Sequence, residues 1–229
     1  MIDYSFDIDQ GTPEWHQMRC GVVTASTINT LLTAKTLKIA ANETVRLHAL
    51  EMAAQRETGV VEDQHQTFQM QRGHMEEVLA RDVYSEAFEQ VTECGFIRND
   101  SLGPFTIGYS PDGLVSETGL IEIKSRIQKH QVKTIINDVV PAEYMLQMQT
   151  GLMVTGREWC DFISYSNGMP LFVKRVTPNE EIQQKILDAV TLFEQSVSEN
   201  QKRYRANSEA LVKCERVDLS LDDEIEESK

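Results

Sequence analysis

The chain has 229 residues, 41% of them hydrophobic and 25% charged, with a formal net charge of −14. That is enough for one domain with a sizeable core, in an ordinary globular composition. No apolar run is long enough to cross a bilayer as a helix, and Met1-Ile2-Asp3-Tyr4-Ser5 lacks the basic-then-apolar order of a secretion signal, so a cytoplasmic protein is expected.

In chain order, Thr12-Pro13-Glu14-Trp15 reads as a helix start, a capping hydroxyl followed by proline at the first helical position. The short helix reaches Arg19, and Gly21 ends it. Val22-Val23 is an extended link, after which Thr24 or Ser26 caps a second helix through Leu31-Leu32. Asn42 caps a third, closed by Gly59. A fourth is expected from about Thr67 to Phe88, with Met75, Val78, Leu79, Val83 and Tyr84 on its apolar face. Val91 to Arg98, Phe105 to Gly108, Gly113 to Val115 and Leu120 to Ser125 read as short strands between turn residues. Ile127 to Asp138 is expected to be helical, and another helix opens at Pro141, reaches Val154 and ends at Gly156. Glu158 to Tyr165 and Pro170 to Val176 form a hairpin around Asn167-Gly168, and a long helix spans Pro178 to Arg205. This order describes one α/β or α+β domain over residues 1–217. Asp218 to Glu227 holds six acids, so residues 218–229 are expected to form a solvated, disordered tail able to serve as an interaction arm.

The sharpest chemical signal is Ser110-Pro111-Asp112-Gly113 followed by Glu122-Ile123-Lys124. Alternate strand residues share a face, so Glu122 and Lys124 point one way while Ile121 and Ile123 enter the core. A tight turn at Ser116-Glu117-Thr118-Gly119 brings Asp112 beside Glu122. Hard carboxylate oxygens suit Mg²⁺, which keeps waters and is completed by a substrate phosphate. Such a metal lowers the pKa of a bound water, and a nearby lysine offsets developing negative charge. A surface hairpin carrying an Asp and a Glu-Lys pair is the bland alternative. The S-P-D-G turn and the flanking isoleucines favour the catalytic one.

Three further elements stand in order around this pair, making five in all. They are Trp15-His16-x-x-Arg19-x-Gly21-x-x-Thr24-Ala25-Ser26, Gly73-x-x-x-Glu77 and Gln147-Met148-Gln149. Each is weak alone, but in this order they resemble the viral recombinase-type alkaline exonucleases, the family of phage lambda exonuclease and the YqaJ proteins. The resemblance covers about residues 12 to 165. It implies a restriction-endonuclease-like PD-(D/E)XK core, a central mixed β-sheet flanked by helices.

By that resemblance Asp112 and Glu122 are the principal metal ligands, Glu77 completes the site from a helix, the Ile123 carbonyl adds a backbone ligand, and Lys124 is the catalytic lysine. Gln147 supports the site from a neighbouring helix. Arg19 and Ser26, with Ser110 a weaker candidate, grip a terminal 5′-phosphate; a guanidinium fits phosphate geometry and helix starts favour anions. The implied activity is 5′ to 3′ digestion of one strand of linear double-stranded DNA, with two Mg²⁺ ions per site (or Mn²⁺). It would leave 3′ tails for a single-strand annealing partner, in a ring-shaped homotrimer, inside a bacterial or phage-infected cell.

Other readings stay open. Glu76 competes with Glu77 for the metal. Arg19 could be a helix-end cation, Ser26 a simple cap, and Gln147 and Gln149 ordinary helix positions. Trp15 is expected to be a core anchor. Many relatives carry a proline shortly after the lysine, where this chain has Ser125-Arg126. The Arg126, Lys129 and Lys133 group either touches DNA or is a solvated face. With the acidic balance no broad basic face for DNA is expected, and contact is expected in a narrow groove centred on metal-binding carboxylates. Two nuclease alternatives, a Cas4-like or RecB-like enzyme and a site-specific endonuclease, share the core. The scattered Cys20, Cys94, Cys160 and Cys214 argue against an iron–sulfur cluster, and also against a zinc site. A non-catalytic recombination scaffold would be expected to have lost the Asp112, Glu122 and Lys124 set.

Overall fold

The computed structural model describes residues 1–62 and 68–217. In order, the chain forms β1 (Ile2–Ser5), α1 (Pro13–Arg19), β2 (Val23–Thr24), a 3₁₀ turn (Ala25–Thr27), α2 (Ile28–Leu31), α3 (Glu43–Thr58) and α4 (Phe68–Ala87). Then come β3 (Val91–Thr92), β4 (Phe96–Asn99), β5 (Ile107–Tyr109), β6 (Gly113–Val115), β7 (Gly119–Ser125), α5 (Gln128–Asn137), α6 (Ala142–Thr155), β8 (Trp159–Tyr165), β9 (Phe172–Val176) and α7 (Glu180–Ser208).

The mixed α/β class matches expectation, but the strands divide between two sheets, ordered β1-β4-β5-β2 and β3-β6-β7-β8-β9. The chain passes from one sheet to the other between β5 and β6, at Ser110-Pro111-Asp112. Proline has no N–H to give a ladder, so a continuous strand through Pro111 is disfavoured. In the larger sheet β7 and β8 are parallel, connected through α5 and α6, while β6 and β9 flank them antiparallel.

The local capping chemistry explains several boundaries. Thr12 accepts from the Trp15 amide at the start of α1, Asn42 from Val45 at α3, and Asn179 from Ile182 at α7. Gly59 and Gly156 close α3 and α6 in the left-handed conformation. The expected second helix is instead a 3₁₀ turn followed by the single turn of α2, and neither Thr24 nor Thr27 makes a side-chain cap bond there. Ser26 lies within the 3₁₀ turn. The strand β1 escaped sequence reading because Ile2-Asp3-Tyr4-Ser5 is short; its pairing with β4 in register Asp3↔Arg98 supplies the order.

The larger core joins α3, α6 and α7 to the inner faces of the sheets, through Met52, Leu146, Leu152, Val190 and Phe193 among others. The smaller core is Ala80 and Tyr84 of α4 on Val115, Ile121, Ile123 and Ile163. Ile121 and Ile123 are thus buried as expected, each fully buried side chain of this size being worth about 1.5–3 kcal/mol. The expected apolar face of α4 is corrected. Only Tyr84 of that set is buried, while Met75, Val78, Leu79 and Val83 are exposed. The helix docks instead through Ala80, whose small side chain lets α4 approach β7 and carry Glu77 with it. Thr67 and the acidic tail from Asp218 onward lie outside the described residues.

Candidate active site

The β6–β7 hairpin pairs Gly113 with Ile121. Asp112, one residue before β6, therefore falls opposite Glu122, and its Oδ2 accepts the Ile123 amide at 2.5 Å. Ser116 makes the turn possible at φ 47°. Glu122 is wholly buried. Its Oε1 accepts from Lys124 Nζ at 2.5 Å and its Oε2 from the Tyr109 hydroxyl at 3.0 Å. Glu122 and Lys124 do share a face, as strand alternation requires, and that face looks away from the isoleucine core.

Glu77 reaches the same place from α4. Its Oε1 accepts from Arg81 Nη2 at 2.7 Å, one helical turn on. Arg81 Nε also donates to the Asp112 carbonyl at 2.9 Å, and Nη1 pairs with Glu93 at 2.6 Å. One guanidinium thus ties the helix-borne acid to the S-P-D-G turn. Sequence reading missed Arg81. The signal was its place four residues after Glu77, the spacing of an ion pair on one helix face. Glu76 points elsewhere: it accepts from the Ser125 hydroxyl at the end of β7. Of the two neighbouring acids, Glu77 is the one that joins the cluster.

The electrostatics record the crowding. Burial, then the negative charges of Glu122 and Glu77, hold the Asp112 carboxyl well above its ordinary pKa, against the opposing pull of Lys124. Glu77 is raised as well, chiefly by burial and partly by Glu122, with Arg81 and His74 acting the other way. Burial works against the Lys124 ammonium, yet Glu122 and Asp112 outweigh it and raise its pKa. A divalent cation would offset the mutual repulsion that raises the Asp112 and Glu77 carboxyls.

A second cluster begins two residues away. Arg19 Nη1 donates to Ser110 Oγ at 3.0 Å and Nη2 to Ser26 Oγ at 3.4 Å, while Thr24 Oγ1 lies 3.2 Å from Ser26 Oγ. The structure therefore gathers all of the expected phosphate-gripping residues at one place. Trp15 belongs here too, which corrects its expected role as a plain core anchor. Its indole N–H donates to Ser110 Oγ and to the Gly95 carbonyl, each at 3.0 Å, and its ring lies under the Arg19 guanidinium at 4.2 Å. Burial lowers the Arg19 pKa to about 10, so the guanidinium stays charged at neutral pH.

The remaining expected residues divide. Gln147 is half-buried on α6, on the helix whose Leu146 and Met148 enter the larger core. Gln149 is a fully buried bracket: it donates to Thr177 O at 2.8 Å and accepts from Asn179 N at 2.8 Å, tying α6 to the start of α7. The Ile123 amide is given to Asp112. Arg126 packs beside Tyr144 and donates to Glu143 at 3.1 Å, so it is not a freely solvated charge. Cys94 and Cys160 are buried, whereas Cys214 is exposed. A cleft of about 500 Å³ borders the cluster, lined in part by Phe6, Thr12, His74, Glu77, Arg81 and Asp112.

The family model that describes the YqaJ-like viral recombinase domain matches residues 14–158. The chain belongs to the YqaJ-like viral recombinase family. All the expected site residues fall within the matched span.

Solved structures agree with this. The alkaline exonuclease LHK-Exo from Laribacter hongkongensis is 32% identical, with TM-score 0.75, over 88% of this chain and 100% of that one. The structure of LHK-Exo in complex with dAMP is 35% identical with TM-score 0.76, over the same shares. A phage-related exonuclease from Haemophilus somnus 129PT shares the fold, at 15% identity and TM-score 0.57, over 80% of this chain and 96% of that one. No curated protein matches the chain. The YqaJ-like domain is thus a PD-(D/E)XK-type fold and a nuclease of the exonuclease kind. Among the described residues no helix is long and apolar enough to cross a membrane.

Proposed function

We propose that the chain is a Mg²⁺-dependent exonuclease that digests one strand of linear duplex DNA from its 5′ end, leaving a 3′ single-stranded tail for strand annealing. The observation that carries this reading is the adjacency of two clusters across Pro111. Ser110 closes the Arg19–Ser26 grip, and Asp112 opens the carboxylate cluster with Glu122, Glu77 and Lys124. A grip for a terminal phosphate beside a hydrolytic centre is what end-directed digestion needs.

The donor set fits a hard divalent cation: buried carboxylate oxygens, raised carboxyl pKa values and a backbone carbonyl at Ile123. Each carboxylate is turned onto a protein donor, and among the described residues no three acids or histidines stand ready-made around one point. Glu77 must turn from Arg81, and Lys124 must leave Glu122 Oε1, for Asp112, Glu122 and Glu77 to hold the ion. When bound, Mg²⁺ supplies an acidified water and neutralises charge on the phosphoryl oxygens.

The side chains do the rest. Arg19, seated on Trp15, presents its guanidinium with the Ser26 and Ser110 hydroxyls to a terminal phosphate and sets which phosphodiester lies over Asp112. Lys124, released from Glu122, directs its ammonium at the non-bridging oxygens as negative charge develops. Arg81 holds Asp112 through its carbonyl, so the acid keeps its place while its carboxylate is in use. Gln147, on α6, supports the centre from the neighbouring helix. The ring homotrimer and the annealing partner belong to the same proposal. The exposed Val132, Ile136 and Val139 at and just past α5 offer apolar surface for association.

The test is digestion of linear duplex DNA carrying a 5′-phosphate on one strand only, with and without Mg²⁺, beside a closed circle and a Lys124→Ala control. Mg²⁺-dependent loss of the phosphorylated strand, an intact circle and an inactive variant are expected. Cutting of the circle would make the protein an endonuclease, and no cleavage would favour a scaffold.

A further inference from the structure

The Glu122 carboxylate has two partners of different kinds. Lys124, on Oε1, sits at the end of a flexible stem and is partly exposed. Tyr109, on Oε2, is 1% exposed, and its ring is wedged against α6 at Gly151. A Cβ on Gly151 would lie 2.7 Å from that ring, so glycine is what lets the ring fit. Swinging the carboxyl away would leave a buried hydroxyl without an acceptor, an expensive outcome. Lys124 would therefore be the partner to yield Oε1 to a cation, while Tyr109 would keep Oε2.

We propose that Tyr109 is a positioning residue of the metal site: its buried hydroxyl holds Glu122 Oε2 and leaves Oε1 as the oxygen offered to a divalent cation. The inference rests on the metal-dependent reading above. It makes the four residues Tyr109 to Asp112 a single functional segment. Tyr109 pins one acid, Ser110 belongs to the anion grip, and Asp112 supplies the second acid. Fixing one oxygen makes Glu122 a one-oxygen ligand, keeping room on the ion for phosphate and water.

The test is titration of DNA-free protein with Mn²⁺ followed by electron paramagnetic resonance, below each variant's unfolding midpoint as set by circular dichroism. Tyr109→Phe keeps the ring and removes only the hydroxyl. It should raise the Mn²⁺ Kd about 10- to 100-fold and lower kcat with KM for DNA unchanged. Tyr84→Phe is the control, because it strips an equally buried hydroxyl from Asp161 (2.8 Å) in the other core and should leave Mn²⁺ binding as in the wild type. A Kd for Tyr109→Phe within about 2-fold of wild type, small against the usual cost of losing such a partner, overturns the assignment. So does an equal loss in Tyr84→Phe. Wild-type Mn²⁺ binding by Glu122→Gln is a distinct result: it removes Glu122 as a ligand, and the metal reading falls with it.

Discussion

The Ser110 hydroxyl and the Asp112 carboxylate stand on either side of Pro111, and each closes a different cluster. Ser110 Oγ accepts from Arg19 and Trp15, each at 3.0 Å, while Asp112 Oδ2 accepts from the Ile123 amide at 2.5 Å. The chain crosses between its two sheets at this point. Two residues span at most ~7 Å of chain, so the backbone positions that serve the two clusters are neighbours.

That spacing predicts end discrimination. Arg19→Lys keeps the charge but loses the planar fork that meets Ser110 and Ser26 together. Its kcat/KM on 5′-phosphorylated duplex should fall about 10- to 100-fold, the cost of one or two charged hydrogen bonds. Its rate on a 5′-hydroxyl end should barely move. Comparing the two substrates measures this, and an unchanged preference for phosphate would remove Arg19 from the grip.

The two neighbouring acids on α4 should behave differently. Glu77→Gln is expected to abolish Mg²⁺-dependent cleavage while folding normally. Glu76→Gln can still accept from the Ser125 hydroxyl and loses only its charge, so stability in urea melts should change by less than about 1 kcal/mol, with activity kept. Equal loss of activity in both variants would refute the assignment of Glu77.

Asp112 should destabilise the metal-free protein in a pH-dependent way. Its folded pKa is raised, by burial first and then by Glu122 and Glu77. The folded state therefore holds this proton more tightly than the unfolded one, and stability falls as pH rises from the unfolded carboxyl pKa up to the folded one. Asp112→Asn can still accept the Ile123 amide. Its melting temperature without metal should approach that of wild type below the unfolded carboxyl pKa of about 3.9, where Asp112 is mostly protonated in both states, and exceed it at neutral to alkaline pH. The gain is expected at about 2–4 °C per kcal/mol relieved in a chain of this size. Saturating Mg²⁺ should stabilise the wild type and not the variant. A melting curve that runs parallel for both proteins across pH would contradict the crowding.

Lys124 is expected to matter for turnover rather than for holding metal. Lys124→Met removes a cation that competes for Glu122 Oε1, so Mn²⁺ should bind no more weakly than to wild type. Turnover should drop about 10²- to 10³-fold, as when one donor to the developing charge is lost. Weakened Mn²⁺ binding in this variant would mean the lysine organises the acids instead.

The residues of β7 were legible because β-structure has a period of two. Glu122 and Lys124 must share a face, and Ile121 and Ile123 must take the other. The caps at Thr12, Asn42, Gly59 and Gly156 were legible because capping is local chemistry between near neighbours. The apolar face of α4 was misread for a related reason. Periodicity reports where apolar residues lie on a helix, and Met75, Leu79 and Val83 do form a stripe, but the helix rests on the side that carries Ala80 and Tyr84. Short β1 and the division into two sheets depend on pairings between distant segments, which no local window contains.

The sequence by itself determined the order of the motifs, the alternation that sets Glu122 with Lys124, and hence the family, because these rest on spacing along the chain. Only the tertiary structure decided between Glu76 and Glu77, turned Trp15 from a core anchor into the seat of Arg19, and revealed Arg81 and Tyr109. Those partners lie across elements, Arg81 reaching from α4 to Asp112 and Tyr109 from one sheet to the next. A buried polar group takes whichever partner packing brings within about 3 Å, and that choice is made by the fold as a whole.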